Sequence, residues 1–374
     1  MQCDTLIIGT GPAGLAMAGQ LRNQNLPFEI LDQSDKVGAS WHGHYDRLHL
    51  HTVKKWSHLP HCPFPDHYPE FVPKNLLIEY FNDYVDRFDI QPHYGQEVTH
   101  IERNNGTWKV SVKGNEDWIV NHLVIATGTN RSVVVPSWPG EESFTGEMVH
   151  SRWYKNPKPF MDKRVLVVGM GNTGAEIALD LSESGITTFI SVRGEVSVVP
   201  RDINGRSIQV TSKQLAKLPF NIGDWIGTQI RKIYFGNLEK HGLKISKMHP
   251  AVQLRTTGKT PVLDIGTIAA IKKGAIKVVS EVSHFEGSSV SLVDGTSIDV
   301  DAVILATGYS PSIEEFLPAV TSILDQNSYP SQVVGDNELK GLYFVGYDGY
   351  KLGGILGTIV DQSEMIAKAI AMAD

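Results

Sequence analysis

The chain has 374 residues, of which 41% are hydrophobic and 20% are charged, and its formal net charge is −7. The chain has 41 acidic and 34 basic residues, and this acidic balance argues against nonspecific nucleic-acid binding. The sequence also contains no polybasic patch for a membrane surface. The 2 cysteines, Cys3 and Cys62, exclude a disulfide framework and a C-x-x-C redox pair. No apolar run approaches the ~18–20 residues of a membrane span, and no basic secretory signal precedes the first strand, so we expect a soluble cytoplasmic protein.

Two segments of the chain repeat the order of an apolar run, a glycine cluster and a helical pattern. Residues 5–8 and 164–168 are largely apolar and β-branched, as in parallel strands that helices cover on both faces. Residues 15–21 and 175–181 then show helical periodicity, and a third apolar run occupies 302–305. Strand, glycine turn and helix form a βαβ unit, so the sequence predicts an α/β fold with two Rossmann-like dinucleotide-binding domains.

Alternating polar and apolar residues predict an antiparallel β hairpin inserted in each domain. In the first, residues 96–101 and 107–112 flank an Asn-Asn-Gly turn sequence. In the second, a similar pattern runs from 277–279 to 290–293. Each hairpin region runs into an Ala-Thr-Gly element, formed by Ala126, Thr127 and Gly128 in one case and by Ala306, Thr307 and Gly308 in the other.

The first glycine cluster has the form of a phosphate-binding loop. Gly9, Gly11 and Gly14 follow a predicted strand and open a predicted helix, which is the context that G-x-G-x-x-G requires. Glycine permits the tight turn and the close approach of a pyrophosphate, and the helix N-terminus supplies free N–H groups. The next strand ends in Asp32, whose carboxylate can accept hydrogen bonds from ribose hydroxyls and would repel a 2′-phosphate. This unit therefore predicts FAD or NAD, with further contacts from Pro12, Ala13 and Gln33.

The second glycine cluster repeats the pattern, but the strand that follows its helix ends in a basic residue. Gly169, Gly171 and Gly174 form the loop, and the following strand ends in Arg193, where an acid would select NAD. A guanidinium suits a 2′-phosphate, and a hydrogen bond to a charged group contributes roughly 1.5–3 kcal/mol. The second unit is therefore predicted to select NADP, with further contacts from Asn172 and Thr173.

Two nucleotide sites in one chain indicate that one nucleotide donates hydride and the other receives it. The acid-ended site fits FAD and the arginine-ended site fits NADPH. We therefore expect the FAD-binding domain to comprise residues 1–154 and 301–374, and the NADPH-binding domain to comprise residues 155–300. The two Ala-Thr-Gly elements, and Tyr309 after the second, are further candidates for cofactor contacts.

A motif between the two units resembles that of a known family. Phe144, Gly146, His150 and Tyr154 have the F-x-G-x-x-x-H-x-x-x-Y spacing of class B flavin-containing monooxygenases. Within that class the chain is similar to the YUCCA-type enzymes over residues 45–51, 257–267, 305–309 and 341–346. The resemblance implies conversion of indole-3-pyruvate to indole-3-acetate with FAD, NADPH and O2.

The resemblance also implies two candidate catalytic residues. In many related flavin-containing monooxygenases an asparagine near the nicotinamide and flavin follows an Asp-Arg-Leu sequence, and His51 aligns with it here, as in YUCCA-type sequences. Lys54 follows closely, with a solvent-facing lysine as the alternative. Trp41 and Arg47 are candidate flavin contacts, with packing and ion pairing as their alternatives.

Two more positions are candidates for cofactor contacts by the same resemblance. His150 belongs to the family motif, and a structural histidine is its alternative role. Gly354 would let the last helix point its N-terminus at the flavin pyrimidine ring. Residues 348–354 depart from the family pattern, which leaves the substrate open.

The mechanism implied by the resemblance runs through a C4a-(hydro)peroxyflavin. NADPH reduces FAD, O2 adds to the flavin, and the peroxide attacks C2 of an indole 2-oxo acid with loss of CO2. The alternatives are N- or S-oxygenation of a small amine or sulfide, a non-oxygenating flavoprotein reductase and a non-catalytic nucleotide-binding module. We expect no metal, because the histidines between 42 and 67 lack ligand spacing, and a homo-oligomer is left open.

Overall fold

The computed structural model describes residues 1–203, 205–215, 220–351 and 354–373. Its contacts divide the chain into two compact units. Unit 1 comprises Met1–Gly43, Thr52–Ser132 and Tyr309–Asp374, and unit 2 comprises His44–His51 and Val133–Gly308.

The helices are, in chain order, α1 (Pro12–Asn23), α2 (Ala39–Gly43), α3 (Lys74–Arg87), α4 (Asn172–Glu183), α5 (Ile208–Leu215), α6 (Phe220–Phe235), α7 (Pro250–Thr257), α8 (Thr267–Lys272) and α9 (Ile355–Ala371). The strands up to the end of the second glycine unit are β1 (Gln2–Ile8), β2 (Glu29–Leu31), β3 (Val98–Asn104), β4 (Thr107–Val112), β5 (Trp118–Ile125), β6 (Ser132–Val133), β7 (Glu147–His150), β8 (Arg164–Val168) and β9 (Thr187–Ser191). The later strands are β10 (Val198–Pro200), β11 (Asp202–Ile203), β12 (Arg206–Ser207), β13 (Val262–Asp264), β14 (Ile276–Val279), β15 (Val282–Glu286), β16 (Ser289–Leu292), β17 (Ser297–Asp299), β18 (Ala302–Leu305), β19 (Tyr309–Ser310) and β20 (Leu342–Phe344).

Unit 1 is built on a mixed sheet in the order β2-β1-β5-β4-β3, with β20 paired to β5. Strands β2, β1, β5 and β20 are parallel, and Ile7 of β1 lies opposite Ile30 on one side and Val124 on the other. Because both faces of these strands are covered, β1 is apolar at consecutive positions from Leu6 to Ile8. Strands β3 and β4 form the predicted antiparallel hairpin, which is confirmed.

Unit 2 contains a parallel sheet in the order β14-β9-β8-β18-β7. Val167 of β8 lies opposite Ile190 of β9 and Ile304 of β18, and all three side chains are fully buried. The predicted strand at 302–305 is confirmed as a buried parallel strand. Each unit thus carries parallel strands behind its glycine loop, as the α/β prediction requires.

The sequence-based prediction is wrong for one strand of the second hairpin. Residues 277–279 belong to β14, which pairs in parallel with β9 at the edge of the sheet. The antiparallel partner of β16 is β15, which begins at Val282, and β17 completes this small sheet. Residues 277–279 are too short to reveal by alternation which neighbour they pair with.

The expected domain boundaries at 155 and 301 shift to 133 and 309 in the division by contacts. The reason is strand pairing, because β18 lies between β8 and β7 and brings the segments that carry it into unit 2. Residues 44–51 also join unit 2, through contacts with α4 described below. Among the described residues, no helix is both long and apolar enough to cross a membrane.

Candidate functional site

The first glycine loop joins β1 to α1, and its own backbone requires two of its three glycines. Gly9 has a φ of +108°, and a Cβ there would lie 2.6 Å from the carbonyl oxygen of Ala126. A Cβ at Gly14 would lie 1.8 Å from the carbonyl oxygen of Gly9. A Cβ at Gly11 would meet no atom of the described residues within 4 Å, so the chain itself does not require glycine there. A ligand that approaches the backbone closely, such as a pyrophosphate, would require it.

The start of α1 is suited to an anion. Gly11 is the N-cap and provides no side-chain cap, and Pro12 takes the first helical position, where a missing N–H is tolerated. The N–H groups of Ala13 and Gly14 belong to the first turn, where helical N–H groups have no intrahelical acceptor. These groups and the helix dipole favour a phosphate at this end of the helix.

The carboxylate of Asp32, just after β2, holds the glycine loop in place. Its Oδ2 accepts hydrogen bonds of 2.7 Å from both the N–H and the hydroxyl of Thr10, inside the loop. Its Oδ1 accepts hydrogen bonds from the N–H and hydroxyl of Ser34 at 2.8 and 2.6 Å. The predicted ribose contact would therefore share oxygens that already position the loop. Gln33, which follows Asp32, is exposed.

The second glycine loop, between β8 and α4, repeats the geometry of the first. Gly169 has a φ of +102°, and a Cβ there would lie 2.6 Å from the carbonyl oxygen of Ala306. A Cβ at Gly174 would lie 2.0 Å from the carbonyl oxygen of Gly169. Gly171, like Gly11, has no atom of the described residues within 4 Å of its Cβ position. In both loops, therefore, the first and third glycines are required by neighbouring backbone atoms, and the second glycine has free space beside it among the described residues.

Asn172, the first residue of α4, uses its side-chain amide within the protein. Its Oδ1 accepts a 2.7 Å hydrogen bond from the N–H of Leu263, and its Nδ2 donates to the carbonyl of Pro261 at 3.3 Å. Both partners lie in the YUCCA-like segment 257–267. Asn172 therefore ties that segment to the glycine loop, and Thr173 beside it is half-buried.

The first Ala-Thr-Gly element closes against the glycine loop of its own sheet. The carbonyl of Ala126 is the atom that leaves no room for a side chain at Gly9. The N–H and the hydroxyl of Thr127 lie 3.1 and 2.8 Å from the Tyr347 hydroxyl. Gly128 then turns the chain with a φ of +77°. The element is a fixed part of the loop's surroundings.

The second Ala-Thr-Gly element is bonded to His150. The imidazole Nδ1 of His150 accepts a hydrogen bond from the N–H of Arg152 at 3.1 Å, so Nε2 carries the proton and donates to the carbonyl of Gly308 at 3.2 Å. Burial lowers the pKa of His150, which favours this neutral form. The Thr307 hydroxyl donates to the carbonyl of Val134. These bonds match the structural alternative for His150, and Tyr309 follows at the start of β19.

Arg193 directly follows β9, where the sequence predicts a 2′-phosphate contact. Its side chain is exposed, and within the described residues no carboxylate forms an ion pair with it. In contrast, Arg47, Arg131 and Arg164 each have a carboxylate partner. An exposed guanidinium without a carboxylate partner is available to a phosphate.

His51 is hydrogen-bonded to a buried acid that sequence reasoning missed. Its Nε2 lies 3.1 Å from Oε2 of Glu176 on α4, and the Tyr45 hydroxyl donates to the same oxygen at 2.8 Å. The Glu176 side chain is 3% exposed. Because a carboxylate only accepts hydrogen bonds, His51 donates from Nε2 and its Nδ1 is left as the acceptor when the ring is neutral.

Arg47 reaches the same helix by ion pairs. Its Nη1 lies 2.8 Å from Glu183 and 3.2 Å from Asp180, and its Nε lies 4.0 Å from Glu176. Hydrogen bonding to Glu183 and the neighbouring carboxylates raise the pKa of Arg47 in spite of its burial. This is the ion-pair alternative that the sequence left open. Spacings of four and seven residues from Glu176 place the three acids on one face of α4, a signal the sequence carries.

Lys54 and Trp41 have contacts within unit 1. The ammonium of Lys54 donates to the carbonyls of Asp66 and Tyr68 at 2.8 and 2.7 Å, so it holds that loop rather than facing solvent. The ring of Trp41 packs edge-on against Phe81, with centroids 6.2 Å apart. The catalytic role of Lys54 and the flavin contact of Trp41 stay predictions.

Gly354 opens the last helix with a φ of +88°. A Cβ there would lie 2.6 Å from Cγ2 of Thr52, so both sterics and backbone conformation require glycine. Among the described residues no side chain caps this end of α9, and the flavin contact of its N–H groups stays a prediction. Residues 352 and 353 lie outside the described residues. Among those described, no group of three His, Cys, Asp or Glu residues could hold a metal ion.

The comparisons with known proteins identify a family. A family model described as flavin-binding monooxygenase-like matches residues 4–364. A probable indole-3-pyruvate monooxygenase of Arabidopsis thaliana, YUCCA8, is 38% identical over 363 residues, which cover 93% of this chain and 85% of the relative.

Solved structures share the fold at lower identity. A mutant flavin monooxygenase from Stenotrophomonas maltophilia has a TM-score of 0.77 and 21% identity, covering 100% of this chain and 99% of that one. An oxidized steroid monooxygenase bound to NADP has a TM-score of 0.76 and 16% identity, covering 100% and 85%. Since the sequence match spans both glycine loops and most of the relative's length, this chain belongs to the flavin-binding monooxygenase-like family and is a flavin-dependent monooxygenase of the YUCCA type.

Proposed function

We propose that the enzyme uses NADPH and O2 to convert indole-3-pyruvate to indole-3-acetate. The observation that carries this proposal is the likeness to indole-3-pyruvate monooxygenases over nearly the whole chain. The reaction balances as indole-3-pyruvate, NADPH, H⁺ and O2 giving indole-3-acetate, CO2, NADP⁺ and water. One oxygen atom enters the product carboxylate and the other leaves as water.

The residues present fit two dinucleotides. Gly11 and Gly171 are the two loop glycines that no atom of the described residues requires, and a pyrophosphate at each would require them. We assign FAD to the loop of unit 1, whose following strand leads to an acid, and NADPH to the loop of unit 2, followed by Arg193. When bound, FAD supplies the redox chemistry that activates O2, with NADPH as the source of hydride.

His51 is the residue that we assign to proton handling. Its Nε2–H is held by Glu176, so Nδ1 is the atom that can accept a hydrogen bond or a proton. The Tyr45 hydroxyl fixes the Glu176 carboxylate from a second direction. This arrangement sets both the ring tautomer and its orientation, as a carboxylate does for many catalytic histidines.

The experiment is a stoichiometry measurement on the FAD-loaded enzyme. Indole-3-pyruvate, NADPH and O2 should be consumed in equal amounts, with one indole-3-acetate and one CO2 formed per turnover. Oxygen consumption that yields hydrogen peroxide without CO2 contradicts the decarboxylation. Turnover of an amine or sulfide to its oxide, with indole-3-pyruvate inert, would replace the proposal with N- or S-oxygenation.

A further inference from the structure

Unit 2 contains a cavity of about 370 Å³ whose lining includes none of the nucleotide-loop residues. Its size lies within the ~300–1,000 Å³ of small-molecule sites. The inner wall is part of the hydrophobic core, since Val198, Phe235 and Leu238 are 0%, 3% and 3% exposed. Ile245 extends the apolar surface. A ligand here would therefore have one apolar wall to pack against, beside polar and charged lining residues.

Arg231 of α6 lines the same cavity, and no carboxylate of the described residues forms an ion pair with it. Its Nη2 makes one long contact of 3.4 Å with the carbonyl of Ser246. Its Nη1 is buried and has no hydrogen-bond partner in the part of the chain that the structure describes. Burial lowers the pKa of Arg231, and among the described residues no carboxylate opposes this effect.

This state of Arg231 differs from that of Arg47, another half-buried arginine in unit 2. Arg47 is in ion-pair contact with Glu183 and Asp180, which offset its burial. A buried donor without an acceptor costs about 1–3 kcal/mol, and more when the group is charged. The guanidinium of Arg231 is therefore a fixed cationic donor whose acceptor must come from outside the described residues.

The rim of the cavity adds a weak positive bias. Lys232 and Lys247 are exposed there, against a single rim carboxylate, Glu239. A planar carboxylate matches the guanidinium fork with two parallel hydrogen bonds. Bare inorganic anions would leave the apolar wall in contact with water, whereas an organic ligand would cover it.

From these features we propose that the cavity beside Arg231 is a second ligand site for a small monocarboxylate with an apolar or aromatic body. The carboxylate would bond to Arg231, and the body would pack on Val198, Phe235 and Ile245. The site is distinct from the reaction, and the proposal predicts binding rather than turnover. It therefore stands whether or not indole-3-pyruvate is the substrate.

The test is calorimetric titration of the FAD-loaded enzyme with indole-3-acetate and, separately, with 3-phenylpropionate. We expect Arg231→Gln to weaken one site per chain by about tenfold or more, since the variant loses the charge and the fork. The affinity of any additional site, such as a product site, should be the same in the variant as in the unmodified enzyme. Arg206→Gln, an exposed arginine of unit 2 outside the cavity lining, is the matched control and should bind like the unmodified enzyme.

Two further ligands decide the chemistry of the site. Indole-3-acetamide, which has the same body without the charge, should bind about tenfold more weakly than indole-3-acetate. If inorganic phosphate binds at least as tightly as both carboxylates, the site is a plain anion site and the proposal is wrong. Equal binding of the carboxylates to Arg231→Gln overturns it as well. Should Arg231→Gln fail to fold, Arg231→Lys keeps the charge, loses the fork, and is expected to weaken the same site by severalfold.

Discussion

Tyr45 and Glu176 are 131 positions apart in the chain, and the tyrosine hydroxyl donates a 2.8 Å hydrogen bond to the buried carboxylate. The same carboxylate oxygen accepts from His51 at 3.1 Å. This pair explains why residues 44–51 belong to unit 2 although both flanking segments belong to unit 1. The same carboxylate orients His51, the proposed catalytic histidine, and it belongs to α4, the helix that follows the second glycine loop.

Removing either member of the pair should destabilise unit 2. Tyr45→Phe leaves a buried carboxylate oxygen with one partner fewer, and a hydrogen bond to a charged group contributes about 1.5–3 kcal/mol. We expect a loss of stability in that range by urea unfolding. Tyr94→Phe, an exposed tyrosine, should have little effect.

A double-mutant cycle tests whether the effect comes from this bond. In Glu176→Gln the acceptor is already weakened, so adding Tyr45→Phe should cost clearly less than it does alone. Additive losses would mean that Tyr45 acts through packing against Tyr154 instead, whose ring centroid lies 6.4 Å away.

The two kinds of loop glycine should respond differently to substitution. Gly174→Ala places a Cβ about 2.0 Å from the Gly169 carbonyl, and this backbone atom cannot move aside, so we expect a poorly folded protein. Gly171→Val should fold, bind FAD and lose NADPH affinity, because a Cβ there has no described atom within 4 Å and the side chain would occupy the space proposed for the pyrophosphate. Soluble yield, flavin absorbance and NADPH titration distinguish the two outcomes.

Gly194→Ala is the matched control, since Gly194 also has no described atom within 4 Å of its Cβ position and has no positive φ. It should resemble the unmodified enzyme in folding and flavin content. NADPH binding that is unchanged in Gly171→Val would contradict the placement of the pyrophosphate at this loop.

The apolar runs and the glycine spacing were sufficient to predict the parallel strands of both units and both glycine loops. Buried parallel strands need apolar residues on both faces, which the apolar runs show directly. The first residue of each loop has a positive φ that favours glycine, so Gly9 and Gly169 mark the two turns in the sequence itself. The position of β18 was not predictable in this way, because an apolar strand does not reveal which of two sheets it joins.

The acids of α4 show a second limit of the sequence. Nothing local to Glu176, Asp180 and Glu183 identifies their partners, and only the fold brings Tyr45 and Arg47 onto them. Side-chain partners more than a hundred residues away depend on tertiary packing rather than on local pattern. The same holds for Lys54, whose ammonium is bonded to two loop carbonyls.

Arg193→Ala should change the choice of reductant. The guanidinium has no carboxylate partner among the described residues, so its removal should affect a 2′-phosphate and little else. We expect the KM for NADPH to rise about tenfold or more, with the KM for NADH unchanged. Steady-state oxidation of both nucleotides measures this, with Arg206→Ala as a control, and an unchanged NADPH preference would remove Arg193 from the role.

The buried imidazole of His150 should make stability depend on pH. Burial lowers the pKa of His150 in the folded protein, so below the unfolded value of about 6.5 the unfolded chain binds more protons than the folded one. The stability that depends on neutral His150 is therefore fully present above about pH 6.5 and is lost as the pH falls through the lower folded pKa.

The variant His150→Gln tests this, because its amide can still donate to the Gly308 carbonyl without titrating. Urea unfolding at several pH values between 7 and 5 should show a shallower loss of stability in the variant than in the unmodified enzyme. His100→Gln, which replaces an exposed histidine, is the control and should retain the original slope. Identical slopes in all three proteins would mean that the folded His150 titrates near its ordinary value.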